Sequence, residues 1–196
     1  AQHGKSTTAM FLKEELEQRG HRVLYTNYAD LLKYICKSFF GWNGKKDNAG
    51  RSLLQKVGTE MIRAHNPNYW VDFILNIIEF FPAEWDYVVI GDVRFPNEIS
   101  RIKERGYECT YVKVIRTGFE TPLTPEQQNH SSETSLDSVE ANWLLLNQGT
   151  LDELRRLAKL MCDDFLEPDR TVDNEITHVF GLGDKTYIIA NKEIFK

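Results

Sequence analysis

The chain has 196 residues, of which 41% are hydrophobic, enough to close one sizeable core in a single domain over residues 1–196. Its 24 Lys and Arg residues stand against 29 Asp and Glu, and the formal net charge of -5 argues against a nucleic-acid partner. No apolar run reaches the length of a membrane span, and the three cysteines lack the spacing of a zinc site, so we expect a cytoplasmic protein with no membrane partner.

Helical and strand patterns alternate along the chain, as they do in α/β proteins. Apolar spacing predicts helices over 6–19, 30–40, 51–64, 68–80 and 96–105. The third helix carries one apolar stripe, formed by Leu53, Leu54, Val57, Met61 and Ile62. Strands are predicted at 23–26, in WDYVVIGD (85–92) and in CTYVKVIR (109–116). WDYVVIGD is so apolar that we expect a buried parallel strand there.

Two segments depart from this alternation. Residues 117–140 are polar and interrupted by proline, which is typical of a mobile lid, because strand and helix patterns resume in WLLLNQGTLDELRRLAKLM. In that later stretch, Thr150 followed by Glu153 predicts a capping box at the start of a helix. From Phe165 onward, two short strands are predicted around a glycine-rich turn.

The opening AQHGKSTTAM contains the second half of a phosphate-binding loop, G-x-x-x-x-G-K-S/T. Such a loop needs backbone N–H groups around a phosphate, a lysine on its oxygens, a hydroxyl for Mg²⁺ and a helix N-terminus. Gly4, Lys5 and Ser6 supply all but the first turn. A chance match is the alternative, which the position at a helix start disfavours. We expect the first strand of the fold to precede Ala1.

Asp92 ends the strand in WDYVVIGD, where P-loop enzymes place a carboxylate that orients Mg²⁺ or engages the acceptor. Arg94 follows two residues later, so both side chains can point to the same side of a crevice at the strand ends. The alternative is a surface turn with an ordinary Asp-Arg pair.

Four blocks of the sequence, GKSTTA, GRSLLQKVGTEMIR, GDVRFPNEI and HSSETSLD, resemble the phage-type deoxynucleoside monophosphate kinases, a branch of the P-loop nucleotide kinase superfamily. The resemblance covers about Gly4 to Met161. It implies a P-loop kinase fold, with a central, mostly parallel sheet flanked by helices. It also implies acceptor-binding helices at about 29–81, a lid at about 117–140 and a C-terminal extension at about 165–196.

The activity that this resemblance implies is transfer of the γ-phosphoryl group of ATP, with Mg²⁺, to a deoxynucleoside 5′-monophosphate in a bacterial or phage-infected cell. The catalytic residues would be Lys5, Asp92, Arg94 and Arg116. ATP would be bound by Gly4, Lys5, Ser6, Thr7 and Thr150. Mg²⁺ would be held by Ser6 and Asp92.

The same resemblance implies an acceptor site. Its residues would be Asp30, Lys33, Arg51, Gln55, Thr59, Arg63, Trp70, Arg94, Glu98, His130 and Glu133. Arg51 and Arg63 lie twelve apart on one predicted helix, about 120° apart, and are expected to reach the acceptor phosphate. For Trp70 the alternative is a place in the core. Glu98 is expected to hold Arg94 or the sugar.

Other functions remain open on the sequence. The arginines suit any phosphorylated acceptor, so a P-loop kinase for phosphomevalonate or dephospho-coenzyme A is one alternative. A non-catalytic nucleotide-binding module is another. The tail at 165–196 has no counterpart in the resemblance and is expected to serve dimerisation or packing, so a homodimer is also left open.

Overall fold

The computed structural model describes residues 3–116, 118, 120–121, 123–166, 179–182 and 185–188. The helices in these residues are α1 (Lys5–Gln18), α2 (Ala29–Phe39), α3 (Asn48–Gln55), a π-helix (Lys56–Arg63), α4 (Tyr69–Phe80), α5 (Pro96–Glu104), α6 (Pro125–Asn129), α7 (Ser131–Thr134) and α8 (Leu151–Leu166). The strands are β1 (Val23–Thr26), β2 (Tyr87–Ile90), β3 (Val112–Ile115), β4 (Trp143–Leu146), β5 (Val179–Leu182) and β6 (Lys185–Ile188). The predicted α/β class is confirmed.

The strands pair in three sets. β1 pairs in parallel with β2, and β3 in parallel with β4, whereas β5 and β6 form the predicted antiparallel hairpin. In the described part of the chain these are three separate two-stranded sheets, so a central sheet stays a prediction. β2 is parallel as predicted but only half-buried along its length, because β1 is its one strand neighbour among the described residues.

Parallel pairing brings the carboxyl ends of β1 and β2 together, and the Gly91 N–H donates to the Thr26 carbonyl at 3.1 Å. The ends of β3 and β4 meet in the same way beside His3, two residues before the helix α1. There His3 Nδ1 accepts a bond from the Arg116 N–H at 3.0 Å, and the His3 carbonyl accepts one from Asn147 Nδ2 at 3.0 Å. The residues that follow β3 and β4 are therefore hydrogen-bonded to the segment just before α1.

Two apolar clusters support these strand ends. The first packs α1 against α8 and β3–β4 through buried residues such as Leu16, Leu145 and Ala158, and partly buried residues of β1 and β2 also pack against it. The second lies between α2 and α4 and includes Tyr28 and Trp70. The strand ends and the start of α1 thus rest on packed helices.

The helix predicted over 51–64 differs from expectation. α3 passes directly into the π-helix, whose i→i+5 bonding shifts the angular spacing of residues, so the predicted 120° offset between Arg51 and Arg63 does not apply. The predicted apolar stripe is also wrong at Met61, which is 42% exposed. Within the π-helix, the Gly58 carbonyl accepts a bond from Trp70 Nε1 at 3.1 Å.

The cysteines and the helix lengths agree with the sequence. Cys36 and Cys162 are buried, Cys109 is partly buried, and all three thiols are free. Among the described residues, every helix is too short or too polar to cross a membrane.

Candidate active site

The first turn of α1 begins at a glycine that the fold requires. Gly4 has a φ of 94°, and a Cβ there would lie 2.5 Å from Asn147 Nδ2. Its carbonyl accepts bonds from the Thr8 N–H at 2.9 Å and the Thr8 hydroxyl at 3.1 Å. Ser6 is exposed and Thr7 is partly buried on this turn. The helix start therefore presents Lys5, Ser6 and Thr7 in succession.

Lys5 lies close to three of the other predicted site residues. Burial lowers the pKa of its ammonium group, and the positive charge of Arg94 lowers it further, whereas Glu133 and Asp92 act in the opposite direction. The structure thus brings together Lys5, Asp92, Arg94 and Glu133, which are up to 128 positions apart in sequence.

Asp92 fixes the start of α2. One carboxylate oxygen accepts the Tyr28 N–H at 2.8 Å and the other accepts the Ala29 N–H at 2.9 Å. Burial raises the pKa of Asp92, although these two bonds and the charge of Arg94 lower it. The carboxylate therefore joins the end of β2 to the helix after β1, at the floor of a cleft.

Arg94 joins this floor to the segment predicted as a lid. Its Nη1 atom donates to the Ser132 carbonyl at 2.9 Å and also pairs with the Glu133 carboxylate. Burial by itself would raise the pKa of Glu133, but the charge and hydrogen bond of Arg94 hold it below its usual value. In the described residues the lid segment forms α6 and α7, and Gln127 docks it on α3 through the Asn48 carbonyl at 3.4 Å.

Glu98 and Arg63 form a buried ion pair in the lining of the cleft. The other carboxylate oxygen of Glu98 accepts the N–H groups of Arg94 at 2.7 Å and Phe95 at 3.1 Å, so Glu98 holds the backbone of Arg94 rather than its side chain. Burial raises the pKa of Glu98 to about 6 even though Arg63 and these N–H groups lower it. Arg63 also donates to the Pro67 carbonyl at 2.9 Å and lies over the Phe95 ring.

An open cleft lies beside these groups. Half of the predicted site residues line it: Arg51, Gln55, Thr59, Arg63, Trp70, Asp92, Arg94, Glu98 and Glu133. The lid segment adds Leu123 and Ser132. Trp70 is only 4% exposed and belongs to the second apolar cluster, so its core role is established and a contact with a base stays a prediction.

The remaining predicted residues lie outside the lining of this cleft. Asp30 and Lys33 pair with each other at 2.6 Å, and His130 lines an adjacent cleft with Gln55 and Gln127. The backbone of Arg116 lies next to His3 at the start of α1. Thr150 caps α8, since its hydroxyl accepts the Glu153 N–H at 3.3 Å as predicted.

Sequence reasoning missed two residues beside the cleft. Lys46 lies in the loop between α2 and α3, and burial and the positive charges of Lys33, Arg51 and Arg94 lower its pKa. The Lys46 carbonyl accepts a bond from Arg51 Nε at 2.9 Å. Tyr28 lines the cleft and is 5% exposed, although its only signal in the sequence is its place directly after a strand. Clustered cations suit a phosphate-bearing ligand.

The fold and this site together define an α/β protein with a cleft suited to phosphorylated ligands. Comparison with known proteins narrows this class. The family model described as "Deoxynucleotide monophosphate kinase" matches residues 5–157, and the chain therefore belongs to the deoxynucleotide monophosphate kinase family.

Similar proteins carry the same name. A deoxynucleotide monophosphate kinase of Escherichia phage RB69 is 30% identical over 106 residues, which are 53% of this chain and 41% of the relative. That of Enterobacteria phage T4 is 29% identical with the same coverage. A putative deoxynucleotide monophosphate kinase of Acanthamoeba polyphaga mimivirus is 29% identical over 177 residues, 76% of this chain and 86% of the relative. The matches thus span about two-fifths of the phage relatives and most of the mimivirus one.

Proposed function

We propose that this protein transfers the γ-phosphoryl group of ATP to a deoxynucleoside 5′-monophosphate, giving the diphosphate. The single observation that carries this proposal is the convergence of Lys5, Asp92 and Arg94 beside one cleft. Membership of the deoxynucleotide monophosphate kinase family supports this acceptor over phosphomevalonate or dephospho-coenzyme A. A single P-loop kinase domain with a lid is the architecture that this proposal assumes.

On the donor side, the first turn of α1 would receive the ATP phosphates. Its free N–H groups and the helix dipole favour an anion, and Gly4, Lys5 and Thr7 are the residues placed there. Thr150 lies at the start of α8. The first turns of α8 lie close to Gly4, because a Cβ built on Gly4 would be 3.7 Å from Leu154 Cδ2. That position supports the prediction that the adenine lies on the Thr150 side.

Ser6 and Asp92 fit Mg²⁺ because they offer the hard oxygen ligands that this ion prefers. Both Asp92 oxygens already accept a backbone N–H, so a water-mediated contact suits Asp92 better than a direct one. When bound, Mg²⁺ would neutralise negative charge on the phosphate oxygens. Ser6 is exposed on the first helical turn, which leaves its hydroxyl accessible.

On the acceptor side, Arg51 and Arg94 would hold the monophosphate, and Gln55 and Thr59 would contact the sugar or base. Arg94 is the residue that joins this site to the transfer path, because it lies near both Lys5 and the lid residue Glu133. Arg116 and His130 would act from the lid side. Phosphoryl transfer needs positioned cations and exclusion of water more than covalent help from the protein, and this arrangement supplies the cations.

The test is an acceptor panel. The purified chain would be incubated with ATP, Mg²⁺ and each deoxynucleoside monophosphate, ribonucleoside monophosphates, phosphomevalonate and dephospho-coenzyme A, with products identified by mass. We expect a deoxynucleoside diphosphate to form fastest. Faster phosphorylation of another acceptor, or none at all, would contradict the proposal.

A variant pair assigns the chemistry to the cleft. Arg94→Ala should lower kcat/KM by about a hundredfold or more, because a cation beside the transferring group is lost, while ATP binding is largely kept. The matched control is Arg156→Ala on the exposed face of α8, which should leave kcat/KM unchanged. An active Arg94→Ala variant would contradict the role assigned to Arg94 and also the reading of this site as catalytic.

A further inference from the structure

Tyr28 lies in the lining of the cleft. It precedes α2, and its backbone N–H is held by Asp92 at 2.8 Å. Its side chain is packed with Trp70 and Ile74 in the second apolar cluster and is 5% exposed. A phenylalanine could fill this packing role equally well, so packing alone gives no reason for a hydroxyl.

The Tyr28 hydroxyl is buried and has no hydrogen-bond partner among the described residues. Buried polar groups are almost always paired, since an unpaired one keeps the cost of leaving water. The other buried atom of this kind in the described part is Arg105 Nε, and the remaining nitrogens of Arg105 are bonded to Glu79, Asp72 and Asn76. Tyr28 is therefore the unpaired group that belongs to a cleft-lining residue.

The charged groups nearest to Tyr28 already have partners. Glu98 is bonded to Arg63 and to two backbone N–H groups, and both oxygens of Asp92 accept backbone N–H groups. Burial, with the negative charges of Glu98 and Asp92, raises the pKa of Tyr28, so the hydroxyl stays neutral and protonated. It is therefore a neutral donor and acceptor that has no partner among the described residues.

The position of Tyr28 in the cleft indicates which part of a ligand it would contact. Its neighbours in the lining include Leu32, Gly58 and Trp70, whereas the cations Arg51 and Arg94 suit a phosphate. An apolar wall beside neutral hydrogen-bonding groups suits an uncharged, planar moiety with polar edges.

We propose that the Tyr28 hydroxyl forms a hydrogen bond with the nucleoside part of the acceptor, which makes Tyr28 a substrate-binding residue. This inference rests on the proposed function, because it assumes that the cleft binds a deoxynucleoside monophosphate. Binding then supplies the partner that the hydroxyl lacks in the free protein. The residue positions the acceptor, while the cations act on its phosphate.

The test compares Tyr28→Phe with Tyr34→Phe, which removes the same hydroxyl from a 62% exposed tyrosine on α2. Tyr28→Phe should raise the KM for deoxynucleoside monophosphate about five- to tenfold, the loss expected for one neutral hydrogen bond, with the KM for ATP unchanged. Its melting temperature without ligand should equal or exceed that of the wild type, and the shift on adding the monophosphate should shrink. Tyr34→Phe should behave as the wild type does.

Two outcomes would overturn the inference: an unchanged KM in Tyr28→Phe, or a lowered melting temperature with the KM for ATP and acceptor rising together. A 2′,3′-dideoxy acceptor, which lacks the sugar hydroxyl, identifies the contact. If Tyr28 bonds to the sugar hydroxyl, variant and wild type should have the same KM for this acceptor. If Tyr28 bonds to the base, the difference in KM should remain. Wild-type turnover is measured first. Its absence would refute the proposed function, whereas an active wild type with an unaffected variant would refute the role of Tyr28 alone.

Discussion

Removal of Arg63 should destabilise the protein in a manner that depends on pH. Arg63 is the cation beside Glu98, and the pair is almost fully buried, with side chains 8% and 3% exposed. Burial raises the pKa of Glu98 to about 6, and Arg63 is the main group that opposes this rise. In Arg63→Met, which keeps an apolar side chain over Phe95, that opposition is gone.

The magnitude follows from the size of such charge effects. A cation within a few ångströms lowers the pKa of a carboxyl by about 1–3 units, so the loss of Arg63 should raise the pKa of Glu98 further by that amount. Each unit corresponds to about 1.4 kcal/mol. When the pKa of an acid is higher in the folded state than in the unfolded state, the free energy of unfolding falls as the pH rises up to the folded-state pKa. In Arg63→Met this fall should continue to a higher pH than in the wild type.

The assay is urea unfolding of Arg63→Met and wild type at about pH 5 and about pH 9. The free energy of unfolding lost through the substitution should be about 1.4–4 kcal/mol larger at the higher pH. The control is the same substitution in a Glu98→Gln background, where no carboxyl titrates and the loss should not vary with pH. A loss equal at both pH values, or larger at the lower one, would refute this account of the pair.

Three further substitutions test other parts of the structure. Asp92→Asn keeps one acceptor for the N–H groups at the start of α2 and should lower the free energy of unfolding by about 1–2 kcal/mol in urea; no loss would contradict the capping role. Gly50→Ala would place a Cβ against the Lys45 carbonyl and should cost about 1–3 kcal/mol, so an unchanged melting temperature would refute the close packing there. Glu133→Gln breaks the ion pair with Arg94 and should speed amide exchange in α6 and α7, whereas unchanged exchange would show that the pair does not hold the lid segment.

Local patterns were readable from the sequence because they depend on neighbouring residues. β1 has the predicted bounds, and α1, α2, α4 and α5 lie within one residue of theirs. The π-helix was not predictable, since its i→i+5 bonding leaves no distinct apolar period over eight residues. The parallel pairing of β2 was predicted, but its half-exposure depends on which strands lie beside it.

The proximity of candidate residues was predictable where a sequence motif contains them. Lys5, Asp92 and Arg94 stand in recognisable blocks, and the structure places them together. The ion pair of Arg63 with Glu98 could not be predicted from the sequence, because the two residues are 35 positions apart and come into contact only in the folded chain. Tyr28 and Lys46 were missed because their places in the sequence do not indicate a cleft. Tyr28 lies near the end of a strand, and Lys46 lies in a polar loop.

The central claim is that Arg94 lies at a cleft where a deoxynucleoside monophosphate receives phosphate from ATP. The most direct measurement is transfer of label from γ-labelled ATP to a deoxynucleoside monophosphate, by wild type, Arg94→Ala and Arg156→Ala. The account predicts labelled diphosphate with wild type and Arg156→Ala, and a rate reduced by about a hundredfold or more with Arg94→Ala. Absence of label from the diphosphate in the wild type, or equal rates in all three proteins, would contradict it.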